Sequence, residues 1–317
     1  MDEFRLIDTL IAPRAGVRSD VLLGIGDDAA LVLPPPGEAL VLALDTLVEG
    51  VHFLPSILPE TLGYRLAAVN LSDLAAMGAC PRWATLGLTL PAADAAWITA
   101  FMAGLESAFA PWQVALVGGD TTRGPLTLSL QLSGSVPAGK ALTRHGAHPG
   151  DRVFVSGTVG DAAAGLALAV AGKPGDANTG FLINRFERPE PRLALGLALR
   201  GVASACIDVS DGLLADLGHI LARSHCAARV DLTALPLSAA LTAVVSHATA
   251  LEHALGGGDD YELCFTVPAA ALASLDALRH AGHVFTCIGE VVAGEGLVLL
   301  DDAGEAVASG VRGYRHF

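Results

Sequence analysis

Apolar residues along this chain gather in short runs, and several of the runs stop at glycine and aspartate. "LGIGDDAALV", "EALVLALDT", "VALVGGD", "ACIDVSDGL" and "GGGDDYELCF" all have this form. Between them the spacing changes. "ETLGYRLAAVNLSDLAAMGA" and "ADAAWITAFMAGLESAFA" place apolar residues three and four apart, the spacing of one helix face. "RWATLGLTL" and "PLTLSLQLSGSV" have the apolar content and alternation of strands. The first half therefore predicts strands alternating with helices.

Ala138 to Asp151, "AGKALTRHGAHPGD", breaks the pattern with Gly, Pro and basic residues. It sets a boundary between an N-terminal domain, residues 1–145, and a C-terminal domain, residues 146–317. "DRVFVSG" opens a second series, followed by an Ala-rich helix after Gly160. Lys173 to Gly180, "KPGDANTG", predicts a mobile loop. A helix follows from "PRLALGLALR", then "ACIDVSDGLLADLGHIL", "GGGDDYELCFTV", a helix near "LASLDALRHAG", and closing strands near "VFTCIGEVV" and "GLVLL". Ala234 to Leu251 is the most apolar helical stretch. Its Pro236, His247 and hydroxyls predict an amphipathic or buried helix rather than a membrane span. No short repeat is present, although each half carries a Gly-Asp-Asp turn, as a duplicated unit would.

Composition narrows the class. A chain of 317 residues suggests about two domains. Hydrophobic residues at 52% against 16% charged give ample core, and the Ala, Leu and Val bias suits an α/β fold. The N-terminus "MDEFRLIDTL" lacks the basic start of a signal peptide. The five cysteines are scattered, odd in number and form no CxxC pair, so reduced thiols in a cytoplasmic protein are expected. A formal net charge of −14 speaks against nucleic acid as partner, because phosphate backbones need clustered Lys and Arg.

The acids carry the chemistry. Asp27, Asp28, Asp45, Asp73, Asp120, Asp208, Asp211, Asp259, Asp260 and Glu262 mostly follow apolar runs, so they are expected at strand ends, where α/β sheets bind ligands. Singly, each is explained by a helix cap or a turn. Gathered without cations they would repel one another strongly. There is no His/Cys cluster of zinc spacing, and an oxygen-only set points to Mg²⁺ with phosphates. Walker A, dinucleotide-binding, protein-kinase and G-x-S-x-G signatures are missing, and "GDAAAG" after Val159 reads as a helix start.

The segments "GIGDDAA", "DTLVEGVHF", "NLSDLAAMGA", "GGDTTRG", "VSGTVGDAAAGL", "IDVSDGL" and "GGDDYEL", in this order, resemble the thiamine-monophosphate kinase family, related to aminoimidazole ribonucleotide and selenophosphate synthetases. The resemblance spans nearly the whole chain. It implies an α/β (α+β) two-domain synthetase-like fold. The N-terminal domain would bind ATP and metal and form a β-barrel shared across a homodimer. The C-terminal domain would be a second α/β domain. It implies transfer of a phosphoryl group from ATP to thiamine monophosphate with several Mg²⁺ ions. Carried over by motif, Asp28, Asp45, Asp73, Asp120, Asp208 and Asp211 would ligate metal. Gly119, Asp120, Arg144 and Ser210 would meet ATP, and His52, Glu262 and Tyr314 the thiamine substrate. Within "GIGDDAA" the metal ligand would be Asp28, with Asp27 shaping the turn; within "GGGDDYE" the useful acid would be Glu262. One departure is Ala43-Leu44, where the family often has hydroxyl residues before Asp45. Any side-chain ligation there is lost.

The chemistry is consistent with the residues. A phosphomonoester with a second pKa of about 6 is largely dianionic at neutral pH, so its oxygen attacks without a general base. Among alternatives, a selenophosphate synthetase would want a reactive Cys in an N-terminal Gly-rich segment, and none precedes Cys80. A maturation scaffold of the hydrogenase dehydratase type carries a modifiable C-terminal Cys, whereas this sequence ends "YRHF". A non-catalytic cation-binding protein would not need "GGDTTRG" and Arg144.

Overall fold

The structure, a computed structural model, describes residues 3–172, 175–308 and 313. The chain divides into two compact units, one made of Met1–Leu74 and Ala79–Gly139, the other of Ala75–Gly78 and Lys140–Phe317.

The first unit begins with α1 (Glu3–Leu6), a π-helical turn (Ile7–Ile11) and a 3₁₀ turn (Ala12–Arg14). A short antiparallel hairpin, β1 (Val21–Leu23) and β2 (Leu31–Val32), carries the first Gly-Asp-Asp in its loop. Then come β3 (Glu38–Val48), α2 (Pro59–Ala76), β4 (Cys80–Leu90), α3 (Ala95–Phe109), β5 (Ala115–Arg123) and β6 (Thr127–Pro137). The sheet order is β3-β6-β4-β5; only β4 and β5 run parallel.

Alternation decides the faces. On β6, Leu128, Leu130 and Leu132 are fully buried, and on β4 Leu86, Leu88 and Leu90 are buried. Asp94 caps α3 by accepting the N–H groups of Ala96 and Trp97 at 2.9 and 3.2 Å. Helices α2 and α3 touch backbone to backbone. A Cβ on Gly63 would stand 2.0 Å from the Phe101 carbonyl oxygen, and one on Gly104 1.8 Å from that of Glu60. The edge strand β3 leaves Leu40, Leu42 and Leu44 exposed in a row on one face.

The second unit contains β7 (Arg152–Ser156), α4 (Asp161–Val170), α5 (Ala177–Glu187), α6 (Leu193–Ala198), β8 (Ala205–Asp208), α7 (Leu213–Ser224), β9 (Ala227–Asp231), α8 (Ala239–Val244), α9 (His247–Gly256), β10 (Leu263–Val267), α10 (Ser274–His280), β11 (Phe285–Val292), β12 (Gly296–Leu300) and β13 (Ala306–Val307). Its strand order is β13-β12-β9-β11-β7-β10-β8, antiparallel except between β9 and β12. Val153, Val155, Ile207, Leu213, Leu217 and Ile288 lie in one core between the sheet and helices. Phe154, Phe265 and Phe285 form a second aromatic cluster with centroids 5.4 to 5.9 Å apart.

Two local expectations change. The loop over Lys173–Gly180 is helical from Ala177, because Asp176 accepts the Thr179 N–H at 2.9 Å and starts α5; Lys173 and Pro174 lie outside the described residues. The single helix over Ala234–Leu251 is broken into α8 and α9, each started by a serine cap, Ser238 and Ser246. Among the described residues no helix is long and apolar enough to cross a membrane.

Candidate active site

In the first unit, a cleft of about 870 Å³ opens between the π-helical turn, the β1–β2 loop and β5. A bulge shapes its floor. Ala84 of β4 faces Leu116 and Thr85 faces Gly118, so Val117 has no partner and β5 bends there. Gly119 follows, so close to β4 that a Cβ would stand 2.0 Å from the Leu86 carbonyl oxygen. Asp120 comes next, exposed at the cleft. Across from it, Gly26 turns the loop at φ 120° and Asp27 accepts the Asp28 N–H at 2.8 Å. That bond spends Asp27 on the loop and leaves the exposed Asp28 carboxylate to face a ligand. Asp8, from the π-helical turn, adds a fourth acid that the sequence pattern did not single out. The rest of the lining is Thr85, Thr121, glycine and apolar residues such as Ile7, Ile11, Ile25 and Leu116, and among the described residues no Lys, Arg or His lines it.

The other predicted residues of this unit lie elsewhere on it. Asp45 stands within β3, paired with Leu130, and is half-buried; Asp73 is on α2, also half-buried. The expectation of strand ends thus fails for Asp45 and Asp120, which sit inside strands of a mostly antiparallel sheet. Leu44 points its side chain to the exposed face and Asp45 to the opposite one, as alternation requires. His52 Nδ1 accepts the Val48 N–H at 3.0 Å, so the ring proton is on Nε2 and points a donor away from the backbone.

In the second unit, Asp208 ends β8, only 5% exposed. Ser210 and Asp211 follow, half-buried, and both donate their N–H groups to Asp216 Oδ2 at 3.0 Å. Burial pushes the Asp216 carboxyl up to about 7, and the negative fields of Asp208 and Asp211 add to it against those two hydrogen bonds. Arg144 is exposed in the segment after the unit boundary.

The second Gly-Asp-Asp turn is built differently from the first. Asp260, 1% exposed, accepts the N–H groups of Gly160 (2.7 Å) and Ala162 (3.2 Å) and so caps α4. Burial pushes its carboxyl up to about 8. The N-terminus of α4 is therefore filled by a side chain and is no phosphate cradle. Glu262 is wholly buried: it accepts from Ser156 Oγ at 2.5 Å, Arg185 at 2.7 Å, and Arg192 at 2.7 and 2.6 Å. The expectation that Glu262 touches the substrate is corrected on this ground, since both its oxygens are taken up inside the protein. The accessible acid of the motif is Asp259. It is half-buried and holds φ 68°, with Tyr261 at φ 51°, and the Tyr261 hydroxyl donates to it at 3.2 Å. Two non-glycine residues at positive φ, on either side of Asp260, store strain of the kind found at ligand sites. Period-two reading of "DDYELCF" carries the signal: Asp260 and Glu262 fall on the buried side and Asp259 on the other. Tyr314 lies outside the described residues.

Among the described residues, no three His, Cys, Asp or Glu side chains stand close enough to hold a metal by themselves. The donors present are nevertheless hard oxygens, with no basic neighbour in the cleft among the described residues. That fits Mg²⁺, which takes one or two carboxylates and completes its shell with phosphate oxygens and water.

Comparison with known proteins gives the family. The chain matches the family models "AIR synthase related protein, N-terminal domain" over residues 26–136 and "AIR synthase related protein, C-terminal domain" over residues 148–302. It is 52% identical over 322 aligned residues to the thiamine-monophosphate kinase of Escherichia coli (strain K12), covering 99% of this chain and 98% of that one. A crystal structure of thiamine-monophosphate kinase from Stenotrophomonas maltophilia K279a superposes with a TM-score of 0.89 at 48% identity, covering 97% of this chain and 98% of that one. A solved structure described as AaThiL complexed with AMPPCP and TMP superposes at 0.80 with 34% identity, covering 90% and 89%.

Proposed function

This chain belongs to the thiamine-monophosphate kinase family, and from that premise we propose that it transfers the γ-phosphoryl group of ATP to thiamine monophosphate, giving ADP and thiamine diphosphate. The observation that carries the reading is full-length kinship at 52% identity, with an acid-lined cleft on the first unit.

The attacking group is a phosphate oxygen of thiamine monophosphate, already largely dianionic at neutral pH. The protein therefore positions two anions in line and needs no general base. On the first unit Asp28, Asp45, Asp73 and Asp120 would ligate Mg²⁺, and on the second unit Asp208 and Asp211 would, with phosphate oxygens of the substrates completing the shells. Bound there, Mg²⁺ supplies screening of phosphate–phosphate repulsion and Lewis-acid stabilisation of the transferring group. Gly119 lets the backbone of β5 approach the nucleotide, Asp120 faces its phosphates, and Arg144 and Ser210 contact ATP. His52 offers its Nε2 proton to the thiamine substrate. Asp259, in place of Glu262, is the acid facing that substrate. Tyr314 would close the pocket.

The exposed leucines of β3 support a homodimer. Leu40, Leu42 and Leu44 are 47%, 67% and 63% exposed on an open sheet edge, a surface that a second copy would cover. Five unpaired cysteines support a cytoplasmic setting.

The test is an assay of purified protein with ATP, Mg²⁺ and thiamine monophosphate, reading ADP and thiamine diphosphate together. Stoichiometric formation of both, dependent on thiamine monophosphate, is expected. ADP release that ignores thiamine monophosphate would overturn the reading.

A further inference from the structure

The buried Glu262 assembly has one open end. Arg192 meets both Glu262 oxygens in a fork, through Nε at 2.7 Å and one terminal nitrogen at 2.6 Å. Its other terminal nitrogen lies 2.9 Å from Glu190. A guanidinium has five N–H groups, and these contacts use three. One hydrogen on each terminal nitrogen is left over. The Arg192 side chain is 23% exposed, against 9% for Arg185 and none for Glu262, so the outward edge is the part of the network that meets solvent.

The groups behind that edge are buried and hydrogen-bonded. Arg185 and Ser156 hold the far side of the Glu262 carboxylate. Gly157, at φ 52°, leaves room for it; a Cβ there would stand 2.2 Å from Oε1. Pro189 and Pro191 stiffen the backbone leading into Arg192. The exposed partner is Glu190, whose side chain is 67% exposed; such a surface pair is weak and yields to a competing anion. Inside, Arg185 and Arg192 balance Glu262 and Asp161, so no net charge opposes an incoming anion once Glu190 swings away.

We propose that Arg192 is a phosphate-contacting residue of the second unit, its two terminal nitrogens receiving oxygens of one substrate phosphate, and that Glu262, Arg185 and Ser156 are positioning residues that aim it. An aimed guanidinium fork matches a pair of phosphate oxygens in a way lysine does not. The assignment rests on the kinase reading above. The phosphate belongs either to ATP or to thiamine monophosphate, and kinetics separates the two.

The experiment measures KM for ATP and for thiamine monophosphate in Arg192→Lys, Arg192→Gln, Glu262→Gln and Glu190→Gln, with melting curves for each. Wild-type production of thiamine diphosphate is the control that tests the kinase reading by itself. Both Arg192 variants should raise one of the two KM values at least about tenfold and leave the other within about twofold; the one that rises names the phosphate. Glu262→Gln should move the same KM in the same direction, and adding Arg192→Gln to it should cost little more, the non-additivity of residues acting as one unit. Glu190→Gln, a surface change that leaves the fold alone, should lower that KM by removing the competing carboxylate. Folded Arg192 variants with both KM values unchanged would overturn the proposal. So would a Glu190→Gln enzyme with unaltered KM, which keeps the test decisive even where an Arg192 variant fails to fold.

Discussion

Replacing Gly119 by alanine should damage both the stability of the first unit and the reaction. Gly119 faces Leu86 across the β4–β5 ladder, and a Cβ there would lie 2.0 Å from the Leu86 carbonyl oxygen, 2.9 Å from its carbon and 3.0 Å from its nitrogen. A tolerable carbon–oxygen contact is about 3.3 Å, so the strands must part by roughly 1 Å. N–H···O bonds near 2.9 Å do not survive that opening. Losing one or two of them costs about 1–3 kcal/mol net, and forced overpacking about 1–3 more, offset by about 0.5–1 from replacing glycine in a strand. The sum is a loss of about 1–5 kcal/mol, centred near 3, which lowers the melting temperature by roughly 3–15 °C for a unit of this size. Asp120 is the next residue and moves with the strand. A displacement near 1 Å at a positioning group costs about 10²-fold in kcat/KM. The internal control is one residue away. At Gly118 the nearest atom to a new Cβ is the Thr85 methyl at 3.8 Å, ordinary contact, so Gly118→Ala should melt within about 0.5 kcal/mol of the parent. Denaturant melts and steady-state kinetics on both variants test this. A Gly119→Ala protein that melts and turns over like the parent would refute it, as would equal damage from Gly118→Ala.

Other outcomes follow from the same geometry. Asp120→Asn should reduce turnover by about 10²-fold or more with its melting curve unchanged, because the carboxylate is exposed and its loss removes charge from the cleft, not packing; a collapsed melt would mark Asp120 as structural. Leu42→Glu should leave circular dichroism unaltered and shift sedimentation from dimer to monomer, since Leu42 is 67% exposed on the edge strand; an undisturbed dimer would place the interface elsewhere. Asp260 holds its proton up to about pH 8 in the folded chain and only to about 4 when unfolded, so the native state binds the extra proton between these values and stability falls as pH rises through that window. The slope is on the order of 1 kcal/mol per pH unit, and Asp260→Asn should flatten it in melts at pH 6, 7 and 8. Identical slopes in the two proteins would contradict the assignment.

Much of this protein is legible in its residues. Strand and helix spacing gave most elements of both units, because each apolar stripe has one sheet or helix to cover it. The compact units divide at Gly139/Lys140, with Ala75–Gly78 joining the second unit, a detail that no composition break marks. Motif order was enough to identify the family. Local capping overrode longer-range reading at Asp176, Ser238 and Ser246, where a single side-chain oxygen starts a helix that hydrophobic spacing alone would merge or miss.

The roles of the individual acids needed the folded chain. "GIGDDAA" and "GGGDDYE" look alike as text, yet one loop keeps a free carboxylate at Asp28 while the other spends Asp260 on a helix cap and Glu262 on two arginines, leaving Asp259 outward. Sequence by itself settled which residue types this protein brings to its chemistry: many oxygens, few cations, no thiol or imidazole cluster. Tertiary structure alone decided which carboxylates stay available. A carboxylate's fate depends on the donors that reach it, and Arg185, Arg192, Ser156 and the N-terminus of α4 come from 70 to 106 residues away in the chain.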